Sequence, residues 1–206
     1  MLHRVFIAMN FPESIKDKLL GFEKEYKIPA KWISRENLHI TLNFLGNLDD
    51  NQLLETIETV KQISSSHNPF VINLNKICYG PLKKFPPRMI WIEMEKSEEL
   101  TKLQIDLENN LFNLPSYKYK EKEENHSFNP HITLARIRLF EFNALGERPE
   151  INEELNQPIN IPKHFRWNYF KDKKGEELLD YVNKIVLNEF QNKYEDNTIF
   201  QSLEIR

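Results

Sequence analysis

The 206-residue sequence predicts an α+β fold built mainly from antiparallel strands. Short alternating stretches, typical of half-buried strands, are interspersed with apolar stripes at helical spacing. No glycine-rich turn follows the first apolar stretch, so a doubly wound nucleotide-binding fold is not indicated. The tetrapeptide His-Ile-Thr-Leu occurs twice, at residues 39–42 and 131–134. This duplication favours two lobes, each carrying one copy.

The first strand and the first helix follow from apolar spacing and from two prolines. Residues 4–9 form a short apolar stretch that predicts a buried strand. Pro12 can occupy the first position of a helix, and the helix should end before Pro29. The apolar stripe of this helix consists of Ile15, Leu19, Phe22 and Tyr26.

Each tetrapeptide lies in an alternating stretch that predicts a strand. Successive side chains of a strand point to opposite faces, so His39 and Thr41 should share one face. Phe44 should lie on the opposite face, together with the apolar residues of the motif. The second copy sorts in the same way, with His131 and Thr133 side by side. Each strand therefore offers one imidazole next to one hydroxyl.

The middle of the chain predicts a capped helix and two further strands. Gly46 is expected to end the first motif strand, and a helix should follow from Asp49. Gln52, three residues after Asp49, completes the pattern of a capping box. Two alternating stretches, 70–77 and 89–94, predict strands on either side of a loop that contains prolines.

The remainder predicts one clear helix and a less regular C-terminal part. Ser97 can cap a helix whose apolar stripe consists of Leu100, Leu103, Leu107 and Leu111. Residues 147–162 are polar and contain prolines, and we interpret the segment from about 140 to 197 as an excursion from the core. Residues 177–190 predict a helix, and 198–205 alternate like a terminal strand. We take residues 1–206 as a single bilobal domain.

Composition and charge exclude several classes of function. The net charge of −3 argues against long-range nonspecific binding to nucleic acid, although a locally basic cleft is compatible with it. The single cysteine, Cys78, rules out an internal disulfide. The sequence has neither an apolar run of membrane-spanning length nor the core of a signal peptide. We therefore expect a cytoplasmic monomer with no membrane partner and no obligate protein partner.

The paired motifs bring together groups suited to acid-base chemistry. Histidine has an unperturbed pKa near neutrality, so one imidazole can act as general base while the other acts as general acid. Threonine hydroxyls can hydrogen-bond a group that is held between them. A phosphodiester fits this arrangement, because one histidine can deprotonate water while the other protonates the leaving oxygen.

Two other interpretations of the motifs are weaker. Sheet histidines with a purely structural role would not need a threonine beside each of them on the polar face. A metal centre usually needs three or four ligands, and no additional His, Cys or carboxylate stands at ligand spacing from the motifs. The sequence also lacks a glycine-rich phosphate loop. No metal or other cofactor is therefore expected.

An ordered series of short segments extends over about residues 4 to 138. It consists of Arg4-Val5-Phe6-Ile7-Ala8, Trp32, Asn37-Leu38-His39-Ile40-Thr41-Leu42, Phe44-Leu45-Gly46, Pro87-Arg88-Met89-Ile90-Trp91 and Phe128-Asn129-Pro130-His131-Ile132-Thr133-Leu134-Ala135-Arg136. This series resembles the RNA 2′,3′-cyclic phosphodiesterases, which belong to the two-histidine phosphoesterases. Some of these enzymes were first described as 2′-5′ RNA ligases. The ordered series is far more specific than either motif alone.

The resemblance implies a bilobal fold with pseudo-twofold symmetry, in which two sheets each present one motif to a central cleft and helices cover the outer faces. It also implies hydrolysis of RNA 2′,3′-cyclic phosphates to 2′-phosphomonoesters. His39 would donate a proton to the 3′ oxygen, and His131 would accept one from water. Thr41 and Thr133 would hold the phosphate. Arg136 would bind substrate, although simple alternation puts it opposite His131, so this role requires a bulge or a strand end.

Two aromatic residues and several related activities stay open. Phe128 and Trp32 are candidates for stacking on a nucleobase, with core packing as the alternative for each. The partners implied are RNA ends or nucleotides that carry a 2′,3′-cyclic phosphate. The same cleft could join a 5′-hydroxyl to such an end, hydrolyse small cyclic nucleotides, or belong to a noncatalytic module that binds RNA ends. Intact His and Thr in both motifs argue against the noncatalytic module.

Overall fold

The computed structural model describes residues 3–10, 13–81, 84–117, 128–145, 149–161 and 167–169. Its strands are β1 (His3–Met9), β2 (Ala30–Trp32), β3 (Ile40–Leu48), β4 (Phe70–Gly80), β5 (Met89–Met94), β6 (His131–Ile137), β7 (Asn152–Ile161) and β8 (Trp167–Tyr169). Its α-helices are α1 (Glu13–Glu25), α2 (Asp50–Ser66), α3 (Glu98–Phe112) and α4 (Leu139–Asn143), and 3₁₀ turns cover Arg35–Asn37 and Pro115–Tyr117.

The strands lie in one open sheet, in the order β7-β4-β5-β6-β3-β1-β8, and β2 pairs with one end of β6. Neighbouring strands are antiparallel, and helices accompany them, so the predicted α+β class is confirmed. The sheet has two halves, β7-β4-β5-β6 and β3-β1-β8, which meet where β3 pairs with β6. The two sheets implied by the resemblance are thus joined into one, because the two motif strands pair directly with each other.

One face of the sheet belongs to the hydrophobic core, together with α2 and α3. The buried apolar residues of these helices are Leu53, Ile57, Val60 and Ile63 in α2 and Leu100, Leu103, Leu107 and Leu111 in α3. They join Ile40 of β3 and Ile132 of β6, both fully buried, in a single hydrophobic cluster. Because alternate strand residues point to opposite faces, the polar side chains of the motifs lie on the face away from this cluster.

Both helix starts predicted from capping residues are confirmed. The Asp49 carboxylate accepts a hydrogen bond from the backbone nitrogen of Gln52 at 2.9 Å, and the Gln52 side chain accepts one from the Asp49 nitrogen at 3.0 Å. At the start of α3, Ser97 Oγ accepts a hydrogen bond from the Leu100 nitrogen at 3.1 Å. These bonds satisfy amide groups that the first helical turn would otherwise leave without an intrahelical partner.

Strand β3 continues past Gly46 to Leu48, so the expectation that Gly46 ends this strand is wrong. Gly46 has a φ of +70°, in the left-handed region that favours glycine. The register between β1 and β3 shifts at the same place, from Val5 opposite Gly46 to Phe6 opposite Phe44. Glycine therefore accommodates a bulge, which lets the strand continue after one extra residue.

The C-terminal part also differs from the expected excursion. Strand β7 pairs with β4 from Ile161 opposite Phe70 to Asn152 opposite Cys78, and so lies at one end of the row of described strands. Among the described strands β7 is the outermost on this side, and an outer strand can be polar and can hold a proline such as Pro158. Strand β8 pairs with β1 at the other end of the sheet. The helix predicted at 177–190 and the strand predicted at 198–205 lie outside the described residues.

Candidate active site

The two motif strands pair with each other at the middle of both motifs. Ile40 of β3 lies opposite Ile132 of β6 in an antiparallel register. Continuing this register by one residue in each direction brings His39 opposite Thr133 and Thr41 opposite His131. These four side chains point away from the buried isoleucine pair, so they form one group on a single face of the sheet. The local symmetry is twofold, about an axis through the isoleucine pair.

A bulge follows the threonine in each motif. On β3, Thr41 lies opposite Ala8 while Asn43 lies opposite Ile7, so Leu42 is an extra residue in the strand. A bulge interrupts the alternation of side chains and therefore changes which residues reach each face. The face of a residue beyond the bulge cannot be read from simple alternation.

The same irregularity occurs in the second motif strand. On β6, Thr133 lies opposite Trp91 while Ala135 lies opposite Ile90, which makes Leu134 the extra residue. Both bulges therefore occur at the leucine of the tetrapeptide. Arg136 is exposed, whereas Leu134 and Ala135 are buried. The bulge on which a substrate-binding role for Arg136 depended is thus present.

The fifth residue after each histidine consequently reaches the same face as that histidine. Phe44 is 78% exposed, and its ring centroid lies 5.7 Å from that of Phe6, which in turn lies 5.1 Å from the His39 ring. The expectation that Phe44 shares the opposite face with the apolar motif residues is therefore wrong, because the bulge at Leu42 interrupts the alternation. Arg136 takes the corresponding position in the second motif.

Both imidazoles are oriented by the same local contact. His39 Nδ1 donates a hydrogen bond to the backbone carbonyl of Asn37 at 2.6 Å, and His131 Nδ1 donates one to the carbonyl of Asn129 at 2.9 Å. A carbonyl oxygen can only accept, so Nδ1 carries the proton in each neutral ring. Nε2 is then the nitrogen that can take up or release a proton. His39 Nε2 lies 3.2 Å from Thr41 Oγ1, which donates to it when the ring is neutral.

Each imidazole also packs against an aromatic ring from the neighbouring strand. Phe6 of β1 lies beside His39. The centroid of the Trp91 ring of β5 lies 4.3 Å from the centroid of the His131 ring. Trp91 is 4% exposed, and its Nε1 donates a hydrogen bond to Cys78 Sγ at 3.1 Å. Gly80 lies directly against the Trp91 ring, because a Cβ at this position would come within 2.4 Å of Trp91 Cδ2. The tryptophan is thus fixed on several sides and limits the positions of the His131 ring.

Burial lowers the pKa of both histidines, and neighbouring charges make the two differ. The pKa of His39 is lowered to about 4, chiefly by burial, and the charges of His131, Arg136 and Lys16 lower it further against the Asn37 hydrogen bond. The pKa of His131 is also lowered by burial, but the Asn129 hydrogen bond and the Glu93 carboxylate act to raise it. The site therefore has cations around His39 and a carboxylate near His131.

Residues 10–91 match the family described as LigT like Phosphoesterase. An RNA 2′,3′-cyclic phosphodiesterase of Aquifex aeolicus (strain VF5) is 32% identical over 150 residues, which cover 70% of this chain and 76% of the relative. The chain is a LigT-like phosphoesterase. A Thermotoga maritima protein of the same name is 30% identical over 162 residues, which cover 77% of this chain and 79% of that protein. The family lies within the two-histidine phosphoesterases, as the resemblance implied.

Solved structures share the fold of this LigT-like phosphoesterase. A crystal structure of a Thermus thermophilus protein superposes with a TM-score of 0.65 at 22% identity, covering 77% of this chain and 84% of that protein. Escherichia coli LigT complexed with 3′-AMP superposes with a TM-score of 0.59 at 18% identity, covering 83% of this chain and 96% of LigT.

The other candidate residues of this LigT-like phosphoesterase lie nearer the core. Trp32, opposite Ala135 on β6, and Phe128, three residues before His131, are both half-buried and pack against the hydrophobic cluster. Phe128 also lines a groove of about 980 Å³ beside the start of α3. Neither ring is as exposed as that of Phe44.

Three residues of the candidate site in this LigT-like phosphoesterase could not be identified from the sequence. Phe6, Trp91 and Glu93 reach the histidines only through cross-strand pairing, and strand alternation does not reveal which strands are neighbours. Trp91 was part of the resemblance, which gave it no role.

In the described part of the chain, no three His, Cys, Asp or Glu side chains are grouped closely enough to hold a metal ion. No described helix is long and apolar enough to cross a membrane.

Proposed function

We propose that this chain hydrolyses 2′,3′-cyclic phosphates at RNA ends to 2′-phosphomonoesters without a metal ion. The observation that carries the proposal is the matched pair of imidazoles on paired strands, each with Nδ1 bound to a backbone carbonyl two residues earlier. In this tautomer Nε2 of each ring is the nitrogen that can take up or release a proton. The names of the Aquifex and Thermotoga relatives support the substrate. The whole chain acts as one bilobal, monomeric domain, and each half supplies one motif.

In the proposed reaction, His131 Nε2 takes a proton from a water molecule as the water oxygen attacks phosphorus. The bond between phosphorus and the 3′ oxygen breaks, and protonated His39 Nε2 gives its proton to that oxygen. The product carries a 2′-phosphate and a 3′-hydroxyl. His39 leaves the step neutral and His131 leaves it protonated, and exchange with solvent restores both. Each of these proton transfers is an ordinary task for a positioned imidazole.

The charges around the two histidines support this division of roles. The cations around His39 disfavour its protonated form, which makes the ring a stronger acid toward the leaving oxygen. The carboxylate near His131 favours the imidazolium that forms when this ring accepts a proton. A bound phosphodiester brings a negative charge between the rings and therefore raises the pKa of both. His39 can then carry a proton in the substrate complex at a higher pH than in the free protein.

The remaining groups of the site are suited to holding the substrate. Thr41 and Thr133 can donate hydrogen bonds to the nonbridging phosphate oxygens, and Arg136 adds a cation on the same face. Phe44 offers an exposed ring next to Phe6, which in turn packs on His39, and a nucleobase can stack on it. Escherichia coli LigT has been solved with 3′-AMP, so a protein of this fold binds a mononucleotide. Stacking is assigned to Phe44, and core packing is assigned to Trp32 and Phe128.

The proposal is tested with a short RNA that ends in a 2′,3′-cyclic phosphate, incubated with the protein in the presence of EDTA. We expect ring opening, with the phosphate on the 2′ oxygen as determined by ³¹P NMR. The His131→Ala variant serves as the control for a contaminating activity. Complete loss of hydrolysis on chelation, restored by one divalent ion, would reject the metal-free mechanism. A 3′-phosphate product would reject the assigned leaving group.

A second arm adds an RNA with a 5′-hydroxyl end to the same reaction. Joined RNA as the main product would identify a ligase rather than a hydrolase. Tight binding of the cyclic phosphate with no turnover would identify a noncatalytic module. A matched reaction with the cyclic mononucleotide shows whether the RNA body contributes to the specificity constant.

A further inference from the structure

Three charged or titratable side chains form a row across three neighbouring strands. Lys76 of β4 lies opposite Glu93 of β5, and Glu93 lies opposite His131 of β6. Lys76 Nζ is 3.6 Å from Glu93 Oε2, and the Glu93 side chain is only 13% exposed. Directly opposite residues of an antiparallel pair have Cβ atoms about 4.5 to 5.5 Å apart. We call Lys76, Glu93 and His131 the charge row.

We propose that Glu93 is a positioning residue for His131, holding its protonated form, and that Lys76 moderates this effect. The kinetic part of this inference rests on the proposed function, whereas the electrostatic part does not. When His131 takes a proton from water, a positive ring forms next to a carboxylate with little access to solvent. Coulomb attraction between two opposite side chains with little access to solvent is worth far more than in bulk water. The positive charge that develops on His131 is therefore stabilised by the Glu93 carboxylate.

The other groups that face His131 do not supply this stabilisation. From β3 the ring faces His39 and Thr41, and Arg136 follows on its own strand, so these neighbours are neutral or positive. Trp91 of β5 packs on its face but carries no charge. The charges of Glu93 and Lys76 also act on the Cys78 thiol of β4, the strand on the far side of β5 from His131. Among the described neighbours of His131, the negative charge comes from Glu93.

The direct test is an NMR titration of the His131 ring in the full-length protein, with its signal assigned by its loss in His131→Ala. In Glu93→Gln, we expect the titration midpoint to fall by about one pH unit, since the carboxylate that favours the charged ring is gone. In Lys76→Met, we expect a smaller shift to higher pH, because a cation has been removed. Glu93→Asp, which keeps the charge, should retain most of the wild-type midpoint.

A matched control comes from an exposed ion pair of the same kind. Glu58 and Lys61 on α2 are linked at 3.1 Å, away from the motif face. Glu58→Gln should leave the His131 midpoint unchanged. An unchanged midpoint in Glu93→Gln, or shifts of the same sign in Glu93→Gln and Lys76→Met, would overturn the proposal. Shifts of the same sign would point to a general loosening of the sheet.

Kinetics on the cyclic phosphate provide a second readout. The acidic limb of the pH profile of kcat/KM should move to lower pH in Glu93→Gln, and kcat should fall about tenfold with little change in KM. Glu93→Asp should restore most of kcat. If the wild-type protein does not hydrolyse the cyclic phosphate, the proposed function fails and the titration alone decides the role of Glu93. If the wild type is active but the midpoint of Glu93→Gln is unchanged, the charge row fails while the function stands.

Discussion

Each histidine of the site is held by a backbone carbonyl on one ring nitrogen and by an aromatic ring on one side. Asn37 and Phe6 do this for His39, while Asn129 and Trp91 do it for His131. Fixing Nδ1 as the donor decides the tautomer, and therefore which nitrogen can take up or release a proton. The cost of this arrangement is burial, which disfavours the charged form of both rings.

Burial of neutral His39 should make the stability of the protein depend on pH. Its folded pKa of about 4 lies below the ordinary value of 6.5, so the stability linked to it is present above pH 6.5 and is lost as the pH falls toward 4. In His39→Asn, we expect the free energy of unfolding to decline less over this interval, by up to about 3 kcal/mol. Urea denaturation of both proteins at pH 4 to 7 measures the difference. Parallel pH dependences would show that His39 is not buried as a neutral ring.

Stacking by Phe44 predicts a specific effect on catalysis. Removing the ring in Phe44→Leu should lower kcat/KM on the RNA end by about tenfold, since stacking of a base on an aromatic ring contributes about 1 to 3 kcal/mol. Phe140 is 90% exposed on α4 and provides a matched control. Phe140→Leu should leave kcat/KM unchanged. Equal effects of both substitutions would remove Phe44 from the site.

At the level of strands and helices, the sequence was informative wherever a local signal decides the structure. The capping residues Asp49 and Ser97 mark the starts of α2 and α3, and alternation alone placed β5 correctly at Met89–Met94. Bulges have no comparable signal, because an extra residue is recognisable only against the partner strand. For this reason the face of Phe44 was predicted wrongly, and the sheet face of Arg136 could be assigned only from the structure.

Strand pairing limited the predictions in two other places. Strand β7 was interpreted as an excursion because its polar composition is compatible with a sheet edge as well as with a loop. The charge row was invisible for the same reason, since Glu93 and His131 are separated by more than thirty residues and meet only across β5 and β6. Long-range pairing depends on packing of the whole sheet, which no local pattern encodes.

The contact between Gly80 and Trp91 predicts a cost for any side chain at residue 80. The Cβ of Gly80→Ala would lie 2.4 Å from the buried Trp91 ring, which has little room to move. We expect a loss of stability of about 1 to 3 kcal/mol from overpacking, together with reduced kcat because Trp91 packs on His131. Thermal or urea denaturation and steady-state kinetics measure the two effects.

Gly21 in α1 supplies the opposite control for this prediction. A Cβ at Gly21 would meet no atom within 4 Å, and the residue lies inside a helix. Gly21→Ala should therefore stabilise the protein by about 0.5 to 1 kcal/mol without changing kcat. A Gly80→Ala protein as stable and as active as the Gly21→Ala protein would contradict the described packing of Trp91.

For the molecule as a whole, the central feature is that neither half of the sheet contains the complete candidate site. The half ending in β3 supplies His39, Thr41 and Phe44, and the half ending in β6 supplies His131, Thr133 and Arg136. The halves are connected by the register pair of Ile40 and Ile132, directly beneath these side chains. Chemistry that needs an acid and a base in one step therefore depends on both halves at once.

This shared dependence predicts how substitutions of the two histidines combine. His39→Ala and His131→Ala should each reduce kcat by roughly 10²- to 10⁴-fold, the usual effect of losing one general acid or base. The double variant should be scarcely slower than the more impaired single variant, because groups that act in one concerted step fail together. Independent binding contacts would instead multiply their separate losses. Single-turnover kinetics on the cyclic RNA end measure all four proteins, with folding checked by circular dichroism. A folded single variant that turns over at near wild-type rate would exclude the two-histidine mechanism.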